Sequence, residues 1–170
     1  SMDDYKKIHI SIGSNIGNKL KNLEKAIELI HLRIAVVESI SSIYKTESIG
    51  FKGEDFLNIC IVIFSNETPN YIMQNLLDIE ETLGRVRTKK KSPESRIIDI
   101  DIVFIEEMVI DSSLLKVPHP KMQNRKFVLI PLLEIDPKIN HPTTKESIPE
   151  MLRTCVDTSK VEKTNLTNMI

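Results

Sequence analysis

Two aspartates, Asp99 and Asp101, stand one residue apart in the segment Arg96–Ile102 and are the clearest candidates for chemistry. If this segment is a strand, side chains at positions i and i+2 share one face and lie about 6.6 to 7 Å apart. Apolar residues then cover the opposite face: Ile98, Ile100, Ile102 and Phe104. Adjacent carboxylates repel each other and are costly to bury, and a divalent cation such as Mg²⁺ relieves both problems. The pair alone is equally compatible with a solvated strand face or with salt bridges to nearby arginines.

A run of positive charge precedes the aspartates, from Arg85 through Arg87 and lysines 89–91 to Arg96. So much positive charge beside two carboxylates suits a polyphosphate bound through Mg²⁺, with the arginines as the phosphate contacts. An ordinary solvated charge run is the alternative, and the role of the lysines stays open. The run has no apolar period, which predicts a mobile loop. Residues 13–17 match neither glycine-rich nucleotide motif and are interpreted as a tight turn, so side chains must hold any nucleotide.

An aromatic ring and an amide, Phe56 and Asn58, share one face of another predicted strand. This combination suits stacking and hydrogen bonding to a flat heterocycle, and Phe127 could supply a second ring. Each phenylalanine taken singly is more typical of a hydrophobic core. Asn58 is the stronger indication of a binding site, because a buried amide in an apolar strand must find hydrogen-bond partners.

A histidine, His119, lies between two prolines that stiffen the backbone on either side of it, and Arg125 follows nearby. An imidazole held in this way could donate a hydrogen bond to a phosphate. A lone surface histidine is the alternative interpretation.

The hydrophobic periodicity predicts an α+β domain with the element order strand, helix, strand, strand, helix, strand. This order is typical of the split βαβ core of ferredoxin-like folds, with an antiparallel sheet. Asn18 and Thr68 are the predicted N-caps of the two helices. The strands are predicted at residues 8–12, 34–46, 56–65 and 97–105, and further elements at 108–110, 127–135 and 147–155. The C-terminal part therefore adds an extra hairpin and short helices.

Length and composition point to one domain, residues 1–156, followed by a polar tail, residues 157–170, that is expected to fray. Lys and Arg number 23 against 24 Asp and Glu, a balance that argues against a dedicated nucleic-acid partner. The two cysteines fit a reducing compartment, and no apolar run reaches the roughly 20 residues of a membrane helix. The expected location is therefore the cytoplasm, with no membrane partner.

These motifs resemble those of the 6-hydroxymethyl-7,8-dihydropterin pyrophosphokinase family of folate biosynthesis. They run in the family's order over roughly residues 8 to 145. The segments that carry the resemblance are Ile12–Asn15, Tyr44–Thr46 with Gly50, Phe56–Asn58, Gly84–Arg87, Arg96–Ile102 and Pro118–Phe127.

The resemblance implies transfer of pyrophosphate from ATP to the hydroxymethyl oxygen of the pterin, with release of AMP. Asp99 and Asp101 match the family's ligands for two Mg²⁺ ions, and together with Arg85 and Arg96 they form the implied catalytic set. The implied pterin-binding residues are Thr46, Glu47, Ile49, Phe56, Asn58 and Phe127. The implied ATP-binding residues are Glu80, Arg87, Arg96, Ile102, His119 and Arg125.

The chain departs from the family pattern before Arg96, where Gly-Pro and a preceding aromatic are usual. Residues 91–95 are Lys-Ser-Pro-Glu-Ser, and the chain has no tryptophan, so an aromatic lid is not carried over. Glu47 stands where proline is common. The alternatives are a regulatory or RNA-binding ferredoxin-like module, or a catalytically silent relative. Ser1 before Met2 and the polar tail would both fit a domain excised from a longer folate enzyme.

Overall fold

A computed structural model describes residues 4–86 and 94–167. The strands are β1 (Lys6–Ser14), β2 (Val37–Ile40), β3 (Tyr44–Thr46), β4 (Phe56–Ser65), β5 (Asp99–Ile105), β6 (Ile110–Asp111), β7 (Lys116–Val117) and β8 (Val161–Lys163). The main sheet has the strand order β5-β1-β4-β3-β8, with β2 also paired to β4, and every pairing in it is antiparallel. The helices are α1 (Lys19–Arg33), α2 (Pro69–Thr82), α3 (Lys126–Ile135) and α4 (Ile148–Thr154). The predicted split βαβ core is confirmed, and β6 and β7 form the extra hairpin.

Helices cover both faces of the sheet and divide the core into two clusters. Alternate residues of β1, such as Ile8 and Ile10, pack against α1 and α2 in the larger cluster. Cys60 of β4 and Leu129 of α3 belong to the smaller cluster on the other face. Because strand side chains alternate, the sheet face that carries Asn58 and Cys60 is the one that meets α3.

Both predicted N-caps are confirmed. The side chain of Asn18 accepts a hydrogen bond from the Lys21 amide, and that of Thr68 accepts one from the Tyr71 amide. Gly84 follows α2 with a φ of +100°, the left-handed conformation in which a glycine ends a helix at little cost.

One expectation for β5 is wrong. Phe104 does not continue the isoleucine face, because a bulge shifts the β1–β5 register between His9 and Ile10. Val103 and Phe104 therefore both lie in the smaller cluster, while Ile102 and Ile105 stay in the larger one. A bulge inserts one extra residue, which reverses the alternation beyond it.

The predicted strand over residues 34–46 is instead two strands. Ser42 interrupts it, because its amide and hydroxyl donate to the carboxylate of Glu134 on α3 instead of joining β4. Between β2 and β3, Ser41 still contacts β4, since its amide donates to the Cys60 carbonyl and its hydroxyl accepts from the Cys60 amide.

Residues 13–17 also differ from the predicted tight turn, since Gly13 and Ser14 belong to β1. The expectation of a fraying tail is wrong for residues 161–163, which form β8 against β3. Most of the predicted mobile loop, residues 87–93, lies outside the described residues. None of the helices within residues 4–86 and 94–167 combines the length and hydrophobicity that a membrane crossing needs.

Candidate active site

A cavity of about 460 Å³ opens where β1, β4 and β5 meet the loop after β3 and the start of α3. Its walls include all six predicted pterin-binding residues, together with Arg96 and Asp99 of the implied catalytic set and Arg125 of the implied ATP-binding set. The lining residues are Ser11, Gly13, Thr46, Glu47, Ile49, Phe51, Phe56, Asn58, Arg96, Asp99, Lys121, Asn124, Arg125 and Phe127. The fold thus brings together residues that are far apart in the sequence.

The floor of the cavity is a row of residues across three strands. Gly13 of β1 is paired with Asn58 on one side and with Asp99 on the other. A Cβ atom on Gly13 would lie 2.5 Å from Oδ1 of Asn58, closer than a real Cβ contact allows. The missing side chain therefore lets the Asn58 amide lie over β1, a role that the sequence did not reveal.

The amide and rings of the predicted pterin end are held by neighbours. Nδ2 of Asn58, a buried residue, donates to Oγ1 of Thr46 over 2.8 Å, which leaves the amide oxygen as its acceptor group. Phe51, which the sequence analysis did not select, meets Phe56 edge to face with ring centroids 6.5 Å apart. Phe127 lies beneath the Arg125 guanidinium, whose Cζ is 5.5 Å from the ring centroid.

Asp99 is held by two arginines at the other end of the cavity. Nη1 of Arg85 lies 2.9 Å from Oδ1 of Asp99, and Nη1 of Arg96 lies 3.2 Å from Oδ2. Burial alone would lower the pKa of Arg85, but the negative charges of Asp99 and Glu80 outweigh that effect and raise it. Arg85 therefore stays charged beside the aspartate.

Two predicted ATP-binding residues, Glu80 and Ile102, have side chains that are buried in the protein. Glu80 is 2% exposed and lies behind Arg85, whose Nη1 is 2.6 Å from its Oε2. The same oxygen accepts a hydrogen bond from the Ile100 amide, so Glu80 orients Arg85 and fixes β5. The Ile102 side chain is buried in the larger core cluster, so only its main chain can contribute to a site on the other face.

Asp101 lies beside His119, with 34% of its side chain exposed and Oδ2 4.0 Å from Nε2, and neither residue lines the cavity itself. Partial burial, and then the charge of Asp99, raise the pKa of Asp101. Burial, and then the charge of Arg125, lower the pKa of His119 to about 4, so the imidazole is neutral at neutral pH. Nδ1 of His119 accepts from the Lys121 amide, so in the neutral ring the proton is on Nε2, facing Asp101.

The oxygen donors of Asp99 and Asp101 suit a hard divalent cation. No group of three or more His, Cys, Asp or Glu side chains within residues 4–86 and 94–167 could hold a metal ion. A cation at this pair would therefore take its remaining ligands from water and from a bound phosphate. Mg²⁺ binds in this way, through one or two carboxylates, several waters and substrate phosphates.

Asn15 is another residue whose role the sequence did not reveal. Its Oδ1 accepts from the Arg96 amide over 2.8 Å, and its Nδ2 donates to the Glu54 carbonyl and to Oγ of Ser95. Asn15 thus ties Arg96 to β1 and to the loop that borders the cavity. Arg87, a predicted ATP contact, lies outside the described residues.

The chain is similar to known proteins over most of its length. Residues 9–137 match the family model described as 7,8-dihydro-6-hydroxymethylpterin-pyrophosphokinase (HPPK). The chain is 35% identical to the 2-amino-4-hydroxy-6-hydroxymethyldihydropteridine pyrophosphokinase of Bacillus subtilis, covering 91% of this chain and 93% of that protein. The corresponding Synechocystis protein is also 35% identical, with 84% of this chain and 73% of the relative covered.

Longer relatives match as well. The chain is 36% identical to the folic acid synthesis protein fol1 of Schizosaccharomyces pombe, but it spans only 20% of that protein's length. The crystal structure of wild-type Plasmodium falciparum HPPK-DHPS superimposes with a TM-score of 0.69 at 14% identity, over 88% of this chain and 44% of that one. That likeness supports the fold, and the family match over residues 9–137 shows that the chain belongs to the 7,8-dihydro-6-hydroxymethylpterin-pyrophosphokinase family.

Proposed function

We propose that this protein transfers pyrophosphate from ATP to 6-hydroxymethyl-7,8-dihydropterin, giving the pterin diphosphate and AMP. The observation that carries the proposal is one cavity with a ring-and-amide end, around Asn58, and a carboxylate-and-arginine end, around Asp99. A flat heterocycle at the first end would place a substituent toward the phosphate-binding end. The family membership supports the same reaction.

At the pterin end, Phe56 and Phe127 stack on the two faces of the bicyclic ring, where each aromatic contact adds about 0.5 to 1.5 kcal/mol beyond burial. The Asn58 oxygen accepts from the ring's N–H edge, while one of the two Nδ2 protons stays bonded to Thr46 and the other can meet a ring acceptor. Glu47 and Ile49 close the cavity from the loop after β3, where their backbone groups can meet the same edge.

At the phosphate end, Arg85 and Arg96 bind the triphosphate oxygens. The Nε2–H group of His119 donates a hydrogen bond to a phosphate or to Asp101. Arg87 and Arg125 would contact the ATP, and Glu80 acts by orienting Arg85. Asp99 and Asp101 would hold Mg²⁺, in our proposal two ions, and the bound metal would neutralise phosphate charge and orient the reacting groups. Such transfers depend mainly on positioning and on charge stabilisation.

In the reaction the hydroxymethyl oxygen forms a bond to the β-phosphorus as the bond from that phosphorus to the α,β-bridging oxygen breaks. The hydroxyl proton passes to solvent water, directly or through the Asp101 carboxylate, and AMP leaves with the bonding electrons. The arginines stabilise the charge that develops on the phosphate oxygens, an effect worth about 3 to 4 kcal/mol for one well-placed donor.

We also propose that the catalytic domain, predicted over residues 1–156, extends through β8, and that the chain can belong to a longer folate enzyme. The S. pombe relative, of which the chain covers a fifth, supports that arrangement.

The test is mass spectrometry of the products formed from ATP, Mg²⁺ and the pterin, with calorimetric titration of each substrate. We expect equal amounts of AMP and pterin diphosphate, and binding of both substrates. ADP formation, or formation of AMP without the pterin, would contradict the proposal. A regulatory or RNA-binding module would bind neither substrate productively. Glu162→Ala serves as a control, since this half-exposed residue lies on β8, pairs with Lys160 over 2.7 Å and does not line the cavity.

A further inference from the structure

The segment Asp157–Thr164, here called the C-terminal brace, contacts both walls of the pterin end of the cavity. It follows α4 and lies beyond the family match, which ends at residue 137. One wall is the start of α3, which carries Phe127, and the other is β3, which ends at Thr46.

The first contact is at the start of α3. The residue before the helix, Arg125, provides no side-chain cap, although the first amides of a helix need acceptors. Oδ2 of Asp157 accepts from the Lys126 amide over 3.0 Å, and Oδ1 accepts from the amide and hydroxyl of Ser159. Partial burial would raise the pKa of Asp157, but the bonds from Ser159 and Lys126 outweigh it and lower the pKa. A carboxylate 31 residues away in the chain thus caps the helix beside Phe127.

The second contact is along β3. The brace forms β8, in which Val161 is paired with Thr46 and Lys163 with Tyr44. The amide and hydroxyl of Thr164 both donate to the Ile43 carbonyl, over 2.9 and 2.8 Å. This pairing covers the edge of β3 that faces away from β4. β3 in turn leads directly into the loop whose residues Glu47 and Ile49 line the cavity.

We propose that the C-terminal brace positions the two walls of the pterin cavity relative to each other, with Asp157 as a positioning residue for Phe127. The identity of the occupant rests on the proposed function. Phe127 is the second residue of α3, so the first turn of the helix sets the direction of its ring. A capped first turn and a covered β3 keep the two walls ready for the ligand, which lowers the ordering cost of binding.

The test compares Asp157→Ala and Asp157→Asn with the control Glu162→Ala, which removes the same charge from the same segment. Pterin is titrated in the presence of Mg²⁺ and a slowly hydrolysed ATP analogue. Asp157→Ala should weaken pterin binding about fivefold, the factor that corresponds to a cap worth about 1 kcal/mol. Asp157→Asn keeps an acceptor and should lose less, and Glu162→Ala should match the wild type. Binding of the ATP analogue alone should change less than twofold in all three variants.

Amide hydrogen exchange supplies a readout that needs no ligand. Asp157→Ala should speed exchange at residues 126–129 but not in α4, and Thr164→Val should speed it at residues 43–46. Unchanged exchange, or an equal loss of affinity for pterin and for the ATP analogue, would overturn the brace. If the wild type binds no pterin, the proposed function fails, and the exchange data still decide whether the brace orders both walls. If Asp157→Ala does not fold, Asp157→Asn and Thr164→Val decide the matter.

Discussion

Replacing Gly13 with alanine should damage the pterin end of the site through a single contact. The new Cβ would lie 2.5 Å from Oδ1 of Asn58 and 3.5 Å from Cδ1 of Phe56. The second distance is an ordinary contact, whereas the first requires one group to move. Gly13 is in a strand paired on both sides, so the Asn58 amide moves more easily than the backbone. Its displacement disturbs the bond to Thr46 and withdraws the oxygen from the ligand.

The size of the effect follows from what the ligand loses. A buried polar group left without its partner costs about 1 to 3 kcal/mol, which corresponds to an affinity about 5 to 150 times weaker. Binding of MgATP should stay within about twofold of wild type, because Arg85 and His119 lie on other elements.

A double-mutant cycle with Asn58→Ala tests the mechanism by calorimetric titration of the pterin. If the alanine at position 13 acts through the Asn58 oxygen, it has nothing to displace once that side chain is removed. We therefore expect Gly13→Ala to cause little further loss in the Asn58→Ala background. Additive losses in the double variant would refute the reasoning, as would wild-type affinity in the Gly13→Ala variant.

Three further outcomes are expected. Asp99→Asn and Asp101→Asn should each lower kcat/KM about a thousandfold, or about 4 kcal/mol, and steady-state rates within tenfold of wild type would contradict this. Phe56→Ala and Phe127→Ala should each weaken pterin binding by at least about 1 kcal/mol, measured by titration. A smaller loss of affinity in both variants would mean that the two rings do not stack on the pterin. Burial lowers the pKa of His9 although the bond to Asp136 opposes this, so the unfolded state takes up the proton first as the pH falls below about 6.5. Stability should therefore fall from pH 7 to 5, and His9→Gln should flatten that slope in urea titrations.

The parts of the fold that the sequence predicted are those that local patterns determine. The alternation around Ile10 and the caps at Asn18 and Thr68 depend only on neighbouring residues, and the structure confirms all three. The bulge at Val103 and the short strand β8 depend on partner strands far away in the chain. No local pattern distinguishes a three-residue polar edge strand from a loop.

The candidate site shows the same division. The i, i+2 spacing predicted that Phe56 and Asn58 share one face of a strand, and both residues line the cavity. The role of Gly13 depends on which residue lies opposite it in β4, and this register is a property of the folded sheet. Asn15 likewise acts on Arg96 across 81 positions of sequence, a contact that no spacing rule predicts.

The arrangement around Asp99 explains how one set of residues can serve both the free protein and the proposed complex. Without a nucleotide, Arg85 and Arg96 neutralise the Asp99 carboxylate, which would otherwise face Asp101 with no positive charge beside it. A bound triphosphate offers the same arginines oxygens of greater negative charge, so they can exchange one anionic partner for another without becoming unpaired. The Asp99 carboxylate freed in that exchange supplies the hard oxygen donors that the accompanying Mg²⁺ prefers. Partly buried charges are costly without partners, and this exchange keeps Asp99 and the two arginines paired before and after substrate binds.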